Sequence, residues 1–460
     1  GKGRMLSGGA DIREFGKGQQ EPIRPQVLDV IEGASKPVVA AIHGHALGGG
    51  LELTLGCHYR VAQAGTRVAL PEVTLGIVPG AGGTQRLPRI VGIKTALELM
   101  TTGEMVPVKR AKELGIVDEV VDGDVLDAAV GYAEKLVAEG KGPRRTSDLT
   151  DKLDAAKATP ELIAEFRKGL KRTAKGQESP YAVVDCIEAA LTKPFAEGMK
   201  FERDTFSRLV KSDQAAALRH AFFAEREAAK IKDVPEDTPV APITRAGVLG
   251  CGTMGAGIVI CFANAGIPVR VLETTQDLLD KGLARIRSTY AGMVERGRLA
   301  QAEMDKRMGL VVGTIAMNDL ADCDVVIEAV FEDMALKKEI FAKLDKACTK
   351  AVVLASNTSS LDIDEIASAT ATPERVLGMH FFSPANVMRL VETVRGKKSS
   401  KTAIATAMAV NKKLAKVGVL VGVCDSFVAN RMYYAYTRQA HFSLEEGALP
   451  QQVDKAIQDF

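Results

Sequence analysis

Residues 245–273 read RAGVLGCGTMGAGIVICFANAGIPVRVLE. This stretch joins an apolar run to the pattern G-x-G-x-x-G, a segment of small residues and a second apolar run that ends at Glu273. Between a strand and a helix, the first glycine permits the tight turn, the second lets a pyrophosphate approach, and the third lets the helix pack on the strand. We therefore predict a dinucleotide site in which the carboxylate of Glu273 binds the adenosine ribose and favours NAD over NADP. The other predicted contacts are Gly250, Gly252, Thr253, Met254 and Gly255. A glycine-rich turn that binds nothing is the alternative.

Strands and helices alternate on both sides of this stretch. Downstream, helical segments separate apolar runs at Val325–Val330, Ala351–Ala355, Val376–Phe382 and Val417–Val423. This alternation indicates an α/β fold with a parallel sheet. Upstream, residues 36–42 are predicted to form a buried strand that leads through a glycine-rich turn into a helix. Three prolines in residues 233–242 mark a linker between the two halves.

Length, charge and cysteine content exclude several classes of protein. A chain of 460 residues suggests about three domains. Its 60 Lys and Arg against 58 Asp and Glu give a net charge of +2, which does not support nucleic-acid binding. The seven cysteines form no C-x-x-C pair, so we predict no metal site and a reducing compartment. Residues 246–269 carry no charge, but the strand–turn–helix pattern explains them better than a membrane span does. We find no signal or transit peptide.

Two sets of motifs resemble known families. The downstream set resembles the L-3-hydroxyacyl-CoA dehydrogenase family and consists of Ser356–Ser360, Met379–Pro384, Leu390–Glu392 and Phe427–Arg431. The upstream set resembles the enoyl-CoA hydratase (crotonase) family and consists of Gly9–Ile12, Ala46–Glu52 and Pro71–Gly80. With the hydratase part first, the chain resembles the bifunctional β-oxidation enzymes of the peroxisomal multifunctional type 1 kind and their bacterial relatives.

This resemblance implies a domain order. Residues 1–145 are expected to form a crotonase-like hydratase/isomerase domain, and residues 146–242 a helical linker. Residues 243–424 are expected to form a Rossmann NAD-binding domain, and residues 425–460 the beginning of a helical dehydrogenase domain. Because the chain opens within a motif at Gly1 and stops at Phe460, we interpret it as a fragment truncated at both ends. The resemblance implies a cytoplasmic location in a bacterium and a peroxisomal one in a eukaryote.

In the hydratase part, the resemblance implies that Glu52 and Glu72 are the catalytic carboxylates. One activates water for attack at C3 of a 2-enoyl-CoA, and the other delivers or removes the proton at C2. The backbone N–H groups of Ala10 and Gly49 are expected to stabilise the thioester oxygen as it gains charge. From the residues alone, the favoured interpretation of Glu52 is an acid that only interacts with the dipole of a first helical turn. Family members also shift cis-3 double bonds to trans-2, so isomerisation is a second use of the pocket.

In the dehydrogenase part, the resemblance implies that His380 is the general base for the 3-hydroxyl proton. Glu392 is expected to orient its imidazole from the neighbouring strand. Ser359 and Asn430 are expected to hydrogen-bond the substrate oxygen. The alternative for His380 is a hydrogen-bonded core histidine.

Two further residues match family positions around the nicotinamide half of NAD. These are Glu332 and Lys337, and the alternative is a helix N-terminus with a solvated lysine. One departure from the family pattern is Asp425-Ser426, which replaces the usual glycine before Phe427. We expect this departure to alter the entry to the helix that carries Asn430.

The expected function is hydration of trans-2-enoyl-CoA followed by NAD-dependent oxidation to 3-ketoacyl-CoA. The expected cofactor is NAD, and the expected partner is a CoA thioester as substrate. The sequence leaves a homo-oligomer open. Two alternatives remain: a non-catalytic scaffold that binds acyl-CoA or NAD, and a 3-hydroxy-acid oxidoreductase fused to a crotonase domain of other chemistry.

Overall fold

The computed structural model describes residues 3–15, 21–157 and 161–459. The chain divides into two compact units, Gly1–Ala224 and Glu225–Phe460. The first unit has two three-stranded sheets and one buried apolar cluster, and the second has one eight-stranded sheet and two such clusters. The domain bounds expected from the sequence at residues 145, 242 and 424 stay predictions.

The first unit is built from short strands and many helices. Its strands are β1 (Val39–Ile42), β2 (His45–Leu47), β3 (Tyr59–Gln63), β4 (Arg67–Ala69), β5 (Val106–Pro107) and β6 (Glu119–Val121). Its helices are α1 (Arg24–Glu32), α2 (Gly49–Gly56), α3 (Gly83–Val91), α4 (Ile93–Thr102), α5 (Val108–Glu113), α6 (Val125–Ala138), α7 (Asp151–Lys157), α8 (Glu161–Thr173), α9 (Ser179–Thr192), α10 (Phe195–Leu209) and α11 (Asp213–Ala228), the last of which contains the unit boundary. One sheet has the order β1-β3-β6 and the other β2-β4-β5.

The helices that follow α6 contribute to the core of the first unit. Helices α9 and α10 pack against α3, and α9 also packs against α4. Val183, Ile187 and Leu209 are buried in the same apolar cluster as Ile42 and Leu55. Burial of such side chains stabilises a fold by about 1.5–3 kcal/mol each. The first part of the predicted helical linker is therefore packed, whereas residues 229–245 contain no helix or strand.

The second unit contains one sheet of eight strands. The strands are β7 (Ala246–Leu249), β8 (Val269–Leu272), β9 (Val311–Thr314), β10 (Val325–Glu328), β11 (Val353–Ser356), β12 (Val376–Phe381), β13 (Leu390–Arg395) and β14 (Val417–Gly422). The helices are α12 (Thr253–Asn264), α13 (Gln276–Glu295), α14 (Gln301–Met308), α15 (Met334–Ala347), α16 (Ile363–Ala367), α17 (Lys401–Lys413), α18 (Ala429–Glu445) and α19 (Pro450–Asp459). Strands β7, β10, β11 and β12 are buried at every position, as expected for strands covered on both faces.

The strand order locates a binding cleft. The sheet runs β14-β13-β12-β11-β10-β7-β8-β9, and the six strands from β12 to β9 are parallel. The chain order reverses between β7 and β10, and ligands of such sheets bind beyond the carboxyl ends of the strands at this point. These six strands confirm the predicted parallel sheet, whereas β13 is antiparallel to β12. Residues 382–389 connect these two strands, and a parallel crossover needs about a dozen residues or more.

The uncharged stretch at residues 246–269 contains β7, α12 and the start of β8. This arrangement confirms the predicted strand–turn–helix. Within residues 3–15, 21–157 and 161–459, no helix has the length and apolar character needed to cross a membrane.

Candidate active sites

The structure brings Glu52 and Glu72 together. Glu52 lies in the first turn of α2, and Glu72 begins the 3-10 turn Glu72–Leu75 after β4. Because β2 and β4 pair in parallel, the chain leaves both strands at the same edge of the sheet. Gly48 lies between them at φ +52°, and a Cβ there would be 2.7 Å from Glu72 Oε1. Only a glycine leaves this space to the carboxylate.

The two carboxyl groups have different surroundings. Glu52 is 2% exposed, and its Oε1 accepts hydrogen bonds from Ala81 N at 2.7 Å and Gly83 N at 3.0 Å. Burial raises the pKa of Glu52, and these two N–H groups oppose that effect. Glu72 Oε2 is buried and has no hydrogen-bond partner among the described residues. Burial, together with the charge of Glu52, raises the pKa of Glu72 well above its usual value.

The backbone expected to bind the thioester oxygen lies beside this pair. Ser7 pairs alongside β2. Its N–H donates to His45 O at 3.1 Å, and its carbonyl accepts from Leu47 N at 3.0 Å. This pairing carries Gly9, at φ +101°, past the start of α2. A Cβ built on Gly9 would be 3.7 Å from Gly49 N. The segment that contains Ala10 therefore runs beside Gly49.

Sequence reasoning missed two charged residues of this site. A Cβ built on Gly49 would overlap the guanidinium of Arg24, whose charge opposes the burial that raises the pKa of Glu52 and Glu72. Glu202 of α10 is fully buried and binds the loop that precedes α3. No spacing rule connects either residue to the motif at residues 46–52, so the sequence carried no signal for them.

In the second unit, His380 and Glu392 are directly opposite each other on β12 and β13. His380 Nδ1 is 2.8 Å from Glu392 Oε2, and the two residues are 5% and 1% exposed. The rings of Phe382 and Phe427 pack on the imidazole at centroid distances of 4.4 and 5.9 Å. An ionised carboxylate only accepts hydrogen bonds, so this contact places the proton on Nδ1 and leaves Nε2 to act as a base.

Glu392 is also held by the start of α18. Its Oε1 accepts from Val428 N at 3.0 Å and Ala429 N at 2.8 Å. Burial alone would raise the pKa of Glu392, but the bonds from His380, Ala429 and Val428 outweigh it and lower the pKa. The turn before these N–H groups has Ser426 at φ +58° and Phe427 at φ +50°, a region that favours glycine.

The other predicted residues of this site form a separate network. Glu332 Oε1 accepts from Ser359 N at 2.8 Å and from Ser359 Oγ at 3.1 Å. Lys337 is 1% exposed, so the solvated lysine considered above is wrong. Its Nζ lies 2.7 Å from Glu328, a buried acid that the sequence did not single out, and 3.5 Å from Glu332.

Two residues expected at the substrate oxygen are not bonded to the histidine. Asn430 is the second residue of α18 and follows the N–H groups that bind Glu392. Among the described residues, no hydrogen bond joins His380 to Ser359 or to Asn430.

The glycine loop fits a dinucleotide. Gly250 lies at φ +84°, and a Cβ there would be 2.7 Å from Ala329 O at the end of β10. A Cβ on Gly255 would overlap Gly250 O, whereas one on Gly252 would meet no described heavy atom within 4 Å. The open space therefore lies at the second glycine, where a pyrophosphate would approach the start of α12 at Thr253 and Met254.

The predicted ribose acid lies against the same loop. Glu273 Oε1 accepts from Cys251 N at 2.6 Å, and Oε2 accepts from Thr274 N at 3.1 Å. Glu273 therefore follows β8 at the position that the family pattern requires for a ribose contact. Across residues 3–15, 21–157 and 161–459, we find no cluster of three His, Cys, Asp or Glu side chains that could hold a metal ion.

Comparisons with known proteins agree with this geometry. Residues 1–179 match the family "Enoyl-CoA hydratase/isomerase". Residues 245–424 match the family "3-hydroxyacyl-CoA dehydrogenase, NAD binding domain". The matched regions contain Glu52 and Glu72 of the first unit, and the glycine loop and the His380–Glu392 pair of the second unit. Residues beyond 424, which include Asn430, lie outside both matches.

Two relatives align with nearly all of this chain, and one solved structure aligns with about half of it. The peroxisomal bifunctional enzyme of Danio rerio is 47% identical over all of this chain and 64% of its own length. The human enzyme of the same name is 41% identical over 99% of this chain and 63% of its own length. The solved dehydrogenase part of multifunctional enzyme 1 from C. elegans is 34% identical, covers 52% of this chain and 57% of that one, and has a TM-score of 0.43.

The chain thus spans slightly less than two thirds of the relatives it matches. Its first unit carries the hydratase match, and its second unit carries the dehydrogenase match. The chain therefore joins a region that matches the enoyl-CoA hydratase/isomerase family to a region that matches the NAD-binding domain of 3-hydroxyacyl-CoA dehydrogenases.

Proposed function

We propose that the chain hydrates trans-2-enoyl-CoA to L-3-hydroxyacyl-CoA and oxidises that product with NAD to 3-ketoacyl-CoA. One observation carries the proposal: a buried pair of carboxyl groups and a histidine–carboxylate pair occur in the two units of one chain. The first pair suits addition of water to a double bond, and the second suits removal of a hydroxyl proton. A scaffold that only binds its ligands would need neither.

In the hydration step, Glu52 acts as the base and Glu72 as the acid. The two N–H groups that donate to Glu52 favour its ionised form, in which it takes a proton from water as the water attacks C3. Glu72 keeps its proton because it is buried beside a second acid, and it delivers that proton to C2. The N–H groups of Ala10 and Gly49 bind the thioester oxygen while it carries the enolate charge.

The same pocket accounts for isomerisation. A double bond moves from position 3 to position 2 when a base removes a proton from C2 and an acid returns one to C4. The paired carboxyl groups and the N–H groups for the thioester oxygen serve this reaction without a further residue. Isomerase activity is therefore part of the proposal.

In the oxidation step, His380 Nε2 takes the proton of the 3-hydroxyl group. The glycine loop at residues 250–255 would hold NAD, which would supply the acceptor for the hydride from C3. Glu392 fixes the tautomer of the imidazole and stabilises its charged form. Ser359 and Asn430 bind the substrate oxygen, and Glu332 and Lys337 line the nicotinamide half of the cofactor site.

The proposed pathway is fatty-acid β-oxidation. Relatives that match the full chain are named peroxisomal bifunctional enzymes, so we infer a peroxisomal location if the source is a eukaryote. In a bacterium the same reactions would take place in the cytoplasm. Free 3-hydroxy acids should not be substrates, because the proposed pocket binds a CoA thioester.

Two variants test the assignment, each with both substrates. NADH formation is followed from trans-2-enoyl-CoA and, separately, from added L-3-hydroxyacyl-CoA. Glu72→Gln should abolish NADH formation from the enoyl substrate and leave oxidation of the hydroxy substrate near normal. His380→Gln should abolish NADH formation from both substrates and leave hydration intact, as measured by loss of the enoyl absorbance. Loss of both reactions in either variant would contradict the separation into two sites.

A further inference from the structure

Four consecutive backbone N–H groups before and within the first turn of α3 are shared between two buried carboxylates. Ala81 N and Gly83 N donate to Glu52 at 2.7 and 3.0 Å. Gly82 N and Thr84 N donate to Glu202 at 2.5 and 2.8 Å. The N–H groups therefore point alternately at the proposed base and at a second acid on α10.

Glu202 binds this loop with both oxygens. Its Oε1 accepts from Gly82 N, and its Oε2 accepts from Thr84 N and from Thr84 Oγ1 at 2.5 Å. Glu202 is 0% exposed, and burial together with the charge of Glu52 raises its pKa to about 8. A buried acid that accepts three hydrogen bonds from one loop restricts the directions in which the other N–H groups of that loop can point.

Glu202 also acts on the acid of the pair through its charge. The pKa of Glu72 is raised by burial first, then by the charge of Glu52, and further by the charge of Glu202. Two further titratable or charged groups lie near Glu202 or its loop, namely the Cys186 thiol of α9 and the Arg86 guanidinium of α3, which lies beside Gly82. Neither Arg86 nor Cys186 binds the Glu202 carboxylate by a hydrogen bond among the described residues.

We propose that Glu202 is a positioning residue for hydration, which holds the loop at residues 81–84 so that Ala81 N and Gly83 N point at Glu52. This inference rests on the proposed hydratase function. Glu202 lies beyond residues 1–179, where the hydratase match ends. Helix α10 therefore contributes to the active site of the domain that precedes it.

The test compares four variants of the full chain in hydration of trans-2-enoyl-CoA. Glu202→Gln places an amide NH₂ against an N–H donor and removes the charge. We expect kcat to fall by about tenfold to a hundredfold, because a buried donor loses its acceptor. KM should change little, because Glu202 touches the loop and not the substrate. The alkaline limb of the kcat profile should move to lower pH, because the ionised form of Glu202 raises the pKa of Glu72 and a glutamine cannot.

Thr84→Val provides a milder change if Glu202→Gln does not fold. It removes one hydroxyl donor to Glu202 and keeps the carboxylate. We expect kcat to fall by roughly threefold to tenfold, with Thr84→Ser restoring the wild-type value. Equal kcat values for all three residues at position 84 would overturn the proposal.

Asp118→Asn is the matched control. Asp118 accepts a backbone N–H from Arg60 at 2.8 Å and pairs with Arg144 at 2.6 Å, away from the loop at residues 81–84. It should lower the melting temperature but leave kcat and the alkaline limb unchanged.

The proposal fails if Glu202→Gln keeps the wild-type kcat and profile, or if Asp118→Asn reproduces both changes. A wild-type chain that does not hydrate enoyl-CoA refutes the proposed function first, which separates the two failures.

Discussion

Glu392 joins the catalytic histidine of the proposed dehydrogenase to the start of a helix, and its replacement by glutamine tests that connection. The carboxylate accepts one bond from His380 Nδ1 on one oxygen and two from Val428 N and Ala429 N on the other. Glutamine has the same shape but only one acceptor oxygen. One side of the contact must therefore face an NH₂ group.

The magnitude follows from the two orientations of the amide. If its oxygen faces Val428 N and Ala429 N, the NH₂ group faces Nδ1 and forces the tautomer in which Nε2 carries the proton and cannot act as a base. If its oxygen faces His380, two buried N–H groups lose their acceptor, at about 1–3 kcal/mol each. Both orientations also remove the charge that stabilises the imidazolium. A combined cost of about 3–4 kcal/mol corresponds to a loss of roughly 10²- to 10³-fold in kcat.

The assay is NADH formation from L-3-hydroxyacyl-CoA, with hydration by the same preparation as an internal control. Asp345→Asn is the matched variant, because Asp345 also accepts a backbone N–H, from Ala371, and pairs with a cation, Arg375. It should destabilise the second unit and leave kcat within about twofold of wild type. A kcat of Glu392→Gln within tenfold of wild type, or an equal loss in Asp345→Asn, would refute the role given to Glu392.

Three further predictions concern the second unit. Ser426→Gly should raise the free energy of unfolding by about 1 kcal/mol, because φ +58° strains any residue with a Cβ, and a lowered melting temperature would contradict this. Gly252→Ala should leave the melting temperature unchanged but weaken NAD binding, measured by calorimetry, by at least about tenfold. Gly255→Ala should instead unfold the domain, because its methyl group would overlap Gly250 O. Burial alone would raise the pKa of Asp324, but Lys350, Thr244 and Arg245 hold it at about 2, below the usual 3.8. This lowered pKa stabilises the fold above pH 4 by roughly 2 kcal/mol, and the contribution disappears as the pH falls toward 2. Asp324→Asn should remove this stabilisation at neutral pH. An acid denaturation curve that is the same in the variant and the wild type would contradict the prediction.

Local sequence patterns predicted much of the fold and the site of the second unit. The glycine loop was predicted because each of its glycines has a separate steric reason, and the structure shows those reasons at Gly250, Gly252 and Gly255. The pairing of His380 with Glu392 was predicted from two neighbouring strands. The antiparallel direction of that pair was not, because alternating strands and helices indicate parallel strands until a connection becomes too short for a helix.

Long-range contacts could not be predicted. Glu202 lies 120 residues from Gly82, and a chain contact of that length leaves no spacing pattern. Glu328 is the last residue of a buried strand. An acid at that position in the sequence indicates only that the apolar run ends, but in the structure Glu328 binds Lys337. The convergence of Glu52 and Glu72 was inferred only from the resemblance, since it depends on the parallel pairing of β2 with β4.

The hydrogen-bond donors that face each carboxyl group shift its pKa against the effect of burial. Glu392 receives two backbone N–H groups and a histidine, and its pKa is lowered despite burial. Glu52 receives two backbone N–H groups, which only partly oppose a raised pKa. Glu72 has an oxygen without a partner among the described residues, and its pKa is raised furthest of these three. The donors to Glu392 and Glu52 come from the starts of α18 and α3 and the residues just before them, and they oppose the rise in pKa that burial causes. Glu202 accepts three such bonds, but burial and the charge of Glu52 still raise its pKa to about 8. Moving one donor, as Glu202→Gln would do, should therefore change the pH profile before it changes the fold.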